Sequence, residues 1–192
     1  PYIYQGEEIG MTNAHFTRLT DYRDIDTLNA YQEVVTQKHQ LSAPEMMARI
    51  EANSRDNSRT PMQWDATENA GFSETKPWIK VNENYPMVNV KAALADSDSV
   101  WFYYQKLIGL RHDYPLVTLG DFKLLLPDDE AVFMYERRWQ EQTWVVICNF
   151  TDQTIDRELK SVVTAQARLI ISNYQDDGGN QLRPYEAKVY AL

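Results

Sequence analysis

The alternation of apolar and polar positions changes character several times along the chain. Residues 1–5, Pro-Tyr-Ile-Tyr-Gln, are aromatic and β-branched and carry no charge, which predicts a short buried strand. Gly6 and Gly10 then bracket a turn, and residues 12–23 are polar without a period, predicting a long loop. From Asp24 to about Lys38, the apolar residues Ile25, Leu28, Tyr31, Val34 and Val35 recur at helical spacing. A second helix is predicted from Ser42, with Pro44 tolerated in its first turn and Met46, Met47 and Ile50 on its inner side.

Residues 53–96 contain several aromatics but no sustained period, the signature of long loops that carry function or anchor on a neighbour. The strongest helical pattern follows, from Asp98 to Asp113, where Val100, Tyr103, Tyr104, Leu107, Ile108 and Leu110 form a wide apolar face and Pro115 closes it. Beyond Pro115 the period falls to two. Strands are predicted over 121–126, 131–139, 142–150, 154–159, 166–172 and 186–192, separated by turn clusters such as Pro127-Asp128-Asp129 and Asp176-Asp177-Gly178-Gly179-Asn180. The expected organisation is α+β: a helical and loop-rich part over 1–115, then an antiparallel β-sandwich over 116–192.

Composition narrows the function classes. The 192 residues are 43% apolar with five tryptophans, enough for a sizeable core. A formal charge of −9 argues against nucleic acid as the main partner, because phosphate neutralisation needs basic patches. No apolar run has the length of a membrane span, and no basic leader precedes an apolar core. A single cysteine, Cys148, cannot form an internal disulfide and suits a small apolar role in a reducing, cytoplasmic setting. An opening in mid-strand without Met predicts a piece of a longer chain.

Candidate chemistry is sparse. Glu7 and Glu8 are adjacent, and adjacent residues in extended backbone point to opposite faces, so they cannot flank one scissile bond. His15, His39 and His112 lack the spacing of a metal site, and no metal or cofactor is expected. Asp21, Asp24 and Asp26 lack a calcium-loop pattern and read as solvated carboxylates at a helix start. There is no phosphate-cradling glycine loop and no Gly-x-Ser-x-Gly elbow. Asn149-Phe150-Thr151 matches a glycosylation acceptor by chance at a strand end.

One stretch stands apart: Arg55-Asp56-Asn57-Ser58-Arg59-Thr60-Pro61-Met62-Gln63-Trp64. It resembles the RDN-x-RTPMQW segment of the oligo-1,6-glucosidase branch of the alpha-amylase family. The opening Pro1-Tyr2-Ile3-Tyr4-Gln5-Gly6-Glu7-Glu8-Ile9-Gly10-Met11 resembles that family's last barrel strand and the following loop. Similarity continues through Thr12-Asn13, Asp21-Tyr22-Arg23-Asp24, Ala70-Gly71-Phe72, Pro77-Trp78 and Leu182-Arg183-Pro184-Tyr185-Glu186-Ala187. Within the branch, His15-Phe16-Thr17-Arg18 and Ser54 are most similar to trehalose-6-phosphate hydrolases.

The resemblance implies the last strand and helices of a (β/α)8 barrel followed by a C-terminal β-sandwich, and a retaining hydrolase that splits trehalose 6-phosphate into glucose and glucose 6-phosphate. The alternatives are an oligo-1,6-glucosidase or dextran glucosidase, and a non-catalytic carbohydrate-binding or structural sandwich, for which exposed aromatics in a row would speak, with Trp139 and Trp144 to inspect. The implied substrate is a small disaccharide or phosphodisaccharide. The family's catalytic carboxylates belong to earlier strands, so no catalytic residue is expected here, and the 192-residue chain alone is expected to be inactive. By resemblance, Arg55 helps hold the terminal glucose, since a planar guanidinium can meet a carboxylate and sugar hydroxyls together. Arg59 fixes the loop, and His15 and Arg18 contact the outer part of the substrate, Arg18 its phosphate.

Overall fold

The structure, a computed structural model, describes residues 2–159 and 162–192. It divides into two compact units between Tyr104 and Gln105. Among the described residues no helix is long and apolar enough to cross a membrane.

In the first unit, Gly6 (φ 93°) and Gly10 (φ 72°) bracket a single 3-10 turn, Glu7–Ile9. A side chain at Gly6 would place its Cβ 2.6 Å from the Met11 sulfur, so the turn closes only over glycine. The strand expected over 1–5 does not form over 2–5, and Pro1 lies outside the described residues. Tyr2, Ile3 and Tyr4 are exposed. A strand exists through its ladder partners, and no other strand of this unit is described beside this segment.

The two predicted helices are present. α1 (Ile25–Tyr31) starts on Asp24, whose carboxylate accepts from the Thr27 amide, and continues into a π-helical segment, Gln32–Gln37. α2 (Ala43–Asn53) opens on a reciprocal capping box between Ser42 and Glu45, with Pro44 in its first turn. Met46 and Ile50 of α2 are buried with Ala14, Phe16, Tyr22 and Ile79, and Leu28, Tyr31, Val34, Val35 and Met47 pack against that cluster. Phe16 meets Tyr22 edge-on at 5.4 Å. Ile25, assigned to the inner face of α1 by spacing, is exposed. α3 (Val90–Ala95) was hidden in the aperiodic stretch; its start is fixed by Asn89, which accepts from the Ala92 amide at 2.8 Å. α4 (Val100–Asp113) follows, with no residue buried: Val100, Leu107 and Ile108 of its apolar face are exposed.

The second unit takes in the end of α4 and continues with α5 (Pro115–Leu119). Pro115 therefore starts a helix as well as closing the pattern before it, because a missing N–H costs nothing at the first helical position. Among the described residues seven strands follow: β1 (Asp121–Leu124), β2 (Val132–Trp139), β3 (Gln142–Asn149), β4 (Ile155–Asp156), β5 (Arg168–Ser172), β6 (Gln181–Leu182) and β7 (Ala187–Ala191). They form a five-stranded antiparallel sheet in the order β1-β2-β3-β7-β5 and a small β4-β6 pair. Val132, Met134, Val145, Ile147 and Tyr190 of the large sheet enclose a core with Leu159 and Leu182. This is the expected sandwich, except that β6, two residues long like β4, is not among the predicted strands.

The opposite face of the large sheet carries a run of rings. Phe122 lies 5.1 Å from Tyr135, Tyr135 5.3 Å from Phe133, and Phe133 6.3 Å from Phe150. Trp144 is instead buried, with Tyr114 stacked at 4.7 Å.

Beside the core, Glu186 and Lys188 are both fully buried. Glu186 accepts from the Arg183 amide at 2.7 Å and from its guanidinium at 2.7 and 3.2 Å. The Lys188 ammonium lies 3.4 Å from Glu186 and donates to the Gly179 carbonyl at 3.2 Å and to the Asp177 carbonyl. The Arg183 guanidinium rests 3.9 Å above the Tyr174 ring. These bonds tie the turn over 176–180 to the root of β7.

A second ion pair gives a pH prediction. Asp129 accepts from Arg157 at 2.7 Å and from the Ala131 and Val132 amides at 3.0 Å each. The Arg157 bond, aided by the two amides against burial, holds the carboxyl down at about 2, from an ordinary 3.8. A depressed folded-state value means the stabilisation is present above about pH 4 and lost as pH falls towards 2. Asp129→Asn is therefore expected to be less stable at neutral pH and to lose less on acidification through that window. Urea midpoints measured across it check this, and parallel curves for variant and wild type would refute it.

Candidate functional site

The arginine-rich decapeptide forms a 3-10 turn, Arg55–Arg59, that starts on Ser54 and ends at Thr60, where the following proline enforces extended backbone. Its organising atoms are two buried carboxylates. Asp56 is fully buried and accepts from the Arg23 amide at 2.6 Å and the Asp24 amide at 2.8 Å. Those bonds fix the backbone of Asp24 from a site 32 residues away in sequence. Asp24 is itself buried and, besides capping α1, meets the Arg55 guanidinium at 2.9 Å and that of Arg59 at 3.1 Å. Arg59 also reaches Asp56 at 3.4 Å, and Arg55 pairs with the exposed Asp26.

The electrostatics follow. Burial alone would raise Asp24, but the Thr27 hydroxyl and amide, then Arg59 and Arg55, bring its carboxyl below its ordinary value and keep it ionised. Arg55 is driven up in turn, by Asp24 first and then Asp26. The reading of Asp24 as a solvated helix-start carboxylate is corrected here: it caps the helix, but from a buried position and with two guanidiniums upon it.

Asn57 stitches the neighbouring loop to the turn. Its side chain accepts from the Ala14 amide at 3.2 Å and donates to the Glu51 carbonyl at 2.9 Å. His15, next to Ala14, meets the Glu51 carboxylate at 2.5 Å and is largely exposed. Arg18 is exposed and pairs only locally, with Asp21 at 3.0 Å. The structure thus joins Arg55 and Arg59 on one carboxylate and links His15 to the same segment through Glu51 and Asn57. Arg18 shares no partner with them.

Farther along, Asn69, Ala70 and Gly71 are consecutive left-handed residues. A side chain at Gly71 would meet the Asp65 carboxylate at 2.7 Å. The reversal lets the Ala70 carbonyl accept from the Trp64 and Asp65 amides at 2.8 and 3.1 Å and leaves the Trp64 ring half exposed. Beside the turn, a cleft of about 590 Å³ is lined by Asp24, Asp26, Arg55 and Arg49 together with Val34 and Ile50. The lining therefore mixes charged and apolar side chains. Glu7 and Glu8 serve their own turn, accepting from the Tyr4 and Gly6 amides at 3.3 and 2.8 Å. Among the described residues no group of three or more His, Cys, Asp or Glu is placed to hold a metal ion.

Sequence reasoning missed Asp24, Asp56 and Asn57 as the frame of the site. The signal for the last two lay in the decapeptide itself, where short polar side chains between arginines are placed to bond backbone.

Comparison with known proteins divides the chain at residues 120–122, later than the break between Tyr104 and Gln105. Residues 1–120 match the alpha amylase catalytic domain, and residues 122–189 the maltogenic amylase C-terminal domain. An alpha-glucosidase of Pediococcus pentosaceus is 53% identical over the whole chain, which covers 34% of that protein. The trehalose-6-phosphate hydrolase of Escherichia coli is 46% identical over 97% of the chain and 34% of its own length. The crystal structure of Bacillus licheniformis trehalose-6-phosphate hydrolase superposes with a TM-score of 0.91 at 39% identity, covering the whole chain and 36% of that one. The chain thus spans about a third of the length of the curated relatives it matches. It belongs to the alpha-amylase family of glycoside hydrolases.

Proposed function

We propose that this chain is part of a retaining alpha-glucoside hydrolase acting on trehalose 6-phosphate, with residues 1–115 contributing to the catalytic domain and 116–192 forming the trailing sandwich. The observation that carries the reading is the uninterrupted likeness to alpha-glucoside hydrolases across the whole chain, including the arginine turn. Arg55 orients the terminal glucose, Arg59 fixes the turn, and His15 and Arg18 face the outer sugar. No carboxylate of the chain is given a catalytic role, and the chain by itself is expected to release no glucose. A cytoplasmic location fits the lone, partly buried Cys148.

A second reading, an oligo-1,6-glucosidase, is favoured by the 48% identity to a probable enzyme of that name from Bacillus subtilis. A purely carbohydrate-binding sandwich is favoured by the row of rings with Phe122, Phe133 and Phe150 exposed, and opposed by the burial of Trp144.

The test is glucose release by the full-length protein from trehalose 6-phosphate, trehalose and isomaltose. Trehalose 6-phosphate is expected to be the best substrate. Arg18→Ala is expected to lower kcat/KM on it by roughly tenfold, the scale of one exposed charge-assisted contact, and to leave trehalose nearly unchanged. A preference for isomaltose supports the second reading, and an equal effect of Arg18→Ala on both trehaloses removes its phosphate role.

A further inference from the structure

The Asp24 carboxylate sits where two requirements meet. It must cap α1, a task for which Asn or Ser would do equally well, and any of them would accept from the Thr27 amide, which Asp24 does at 3.1 Å. Yet the position also takes two guanidiniums, at 2.9 and 3.1 Å, while almost wholly out of water. Burying a carboxylate is costly unless charge partners compensate, and a neutral cap would avoid the cost. The charge must therefore answer to the arginines. The backbone of Asp24 is pinned in addition by the buried Asp56, so the carboxylate is a fixed reference point among more exposed side chains.

Arg55 is such a side chain, with more than half of its surface open to solvent. A long exposed arginine retains rotamer freedom, and freedom at a sugar-orienting group costs turnover. Its other partner, Asp26, is itself mostly exposed and offers a weaker restraint. Asp26 accepts the guanidinium's hydrogen bond, whereas Asp24 meets the same nitrogen as an ion pair at 2.9 Å from a fixed, buried position.

We propose that Asp24 is a positioning residue for Arg55: through one buried carboxylate, fixed by Asp56, it holds the guanidinium in the orientation that receives the terminal glucose. Asp24 touches no substrate, and its effect passes through Arg55. The proposal rests on the glucosidase reading above.

The experiment is a double-mutant cycle in the full-length enzyme, with a nitrophenyl alpha-glucoside as probe. Asp24→Asn keeps the cap but removes the charge. It is expected to lower kcat/KM by about 10–100-fold, the scale of a misaimed orienting group. Combined with Arg55→Lys, it is expected to add less than about twofold to the loss from Arg55→Lys alone, because both changes break one unit. Asp24→Ser, another good cap, serves if the asparagine variant folds poorly, and the same result is expected. Ser42→Ala, which weakens the cap of α2 away from the arginines, is expected to lower the melting temperature and leave kcat/KM unchanged.

In an active enzyme, losses that multiply in full in the double variant overturn the role of Asp24 and leave the glucosidase reading standing. A folded wild-type enzyme that hydrolyses no alpha-glucoside overturns that reading and the proposal with it.

Discussion

Arg55→Lys in the full-length enzyme is expected to lower kcat/KM on alpha-glucosides by roughly a hundredfold while the melting temperature stays within about 2 °C. The two halves of this expectation come from different features. Arg55 is exposed, so its removal opens no cavity and leaves no buried donor unsatisfied. Lysine keeps one positive charge near Asp24 and Asp26, which spares the local electrostatics. The planar fork is lost, and with it the ability to bond a carboxylate and a hydroxyl in fixed relative directions. Steady-state kinetics beside a thermal melt separate the outcomes. Normal turnover with a lowered melting temperature would make Arg55 a scaffold residue.

The largest expected effect on stability lies in the sandwich, at Glu186. Glu186→Ala removes the acceptor of three bonds from Arg183 and strands the fully buried Lys188 beside an empty space. Breaking one partner out of a buried ion pair costs on the order of 3–5 kcal/mol. In a domain of this size that is a fall in melting temperature of at least about 12 °C. Lys188 still has the carbonyls of Gly179 and Asp177, which soften the loss without neutralising the charge. Glu186→Leu with Lys188→Met is expected to recover more than half of the deficit, since neither buried charge remains. A fall of less than about 3 °C for Glu186→Ala would show that water reaches the pair and that the network is weaker than its burial implies.

Most of the fold was legible wherever the periodicity was local. Ser42, Pro44 and Glu45 announce α2, and the apolar, strand-prone run Val132-Phe133-Met134-Tyr135 announces β2. The failures share a physical cause. The segment before Gly6 has strand composition, but composition supplies no hydrogen-bonding neighbour. The six-residue α3 is too short to show a period, so only its Asn89 cap marks it. β6 spans two residues and exists because Ile155 and Asp156 lie across from it.

The site divides in the same way. Arg55 and Arg59 were visible as a motif, and their resemblance to a known segment gave them roles. The burial of Asp24 was not visible, because it depends on Asp56 folding back onto it across the whole of α1 and α2. A charged residue at a helix start looks solvated until the chain that covers it is in place. His15 and Arg18, adjacent in the motif reading, part company in space: one is tied to α2 and the other only to its own loop.

The strand order carries a consequence for how the polypeptide is made. β5 joins the large sheet only through β7, which lies between it and β3. As the chain leaves the ribosome, residues 168–172 emerge before 187–191, so Leu169 and Ile171 wait without a ladder for their neighbour to arrive. At about 5–20 residues per second the wait lasts on the order of a second or more, far longer than a hairpin takes to form. β1, β2 and β3 suffer no such delay, since β1 pairs with β2 and β2 with β3. A nascent sandwich thus passes through a three-stranded stage with one side of β3 open, and a premature stop between Asn149 and Ala187 leaves it there. Such a truncated product, with an unpaired edge and an apolar strand beside it, is the species a cell's chaperones and proteases have to clear.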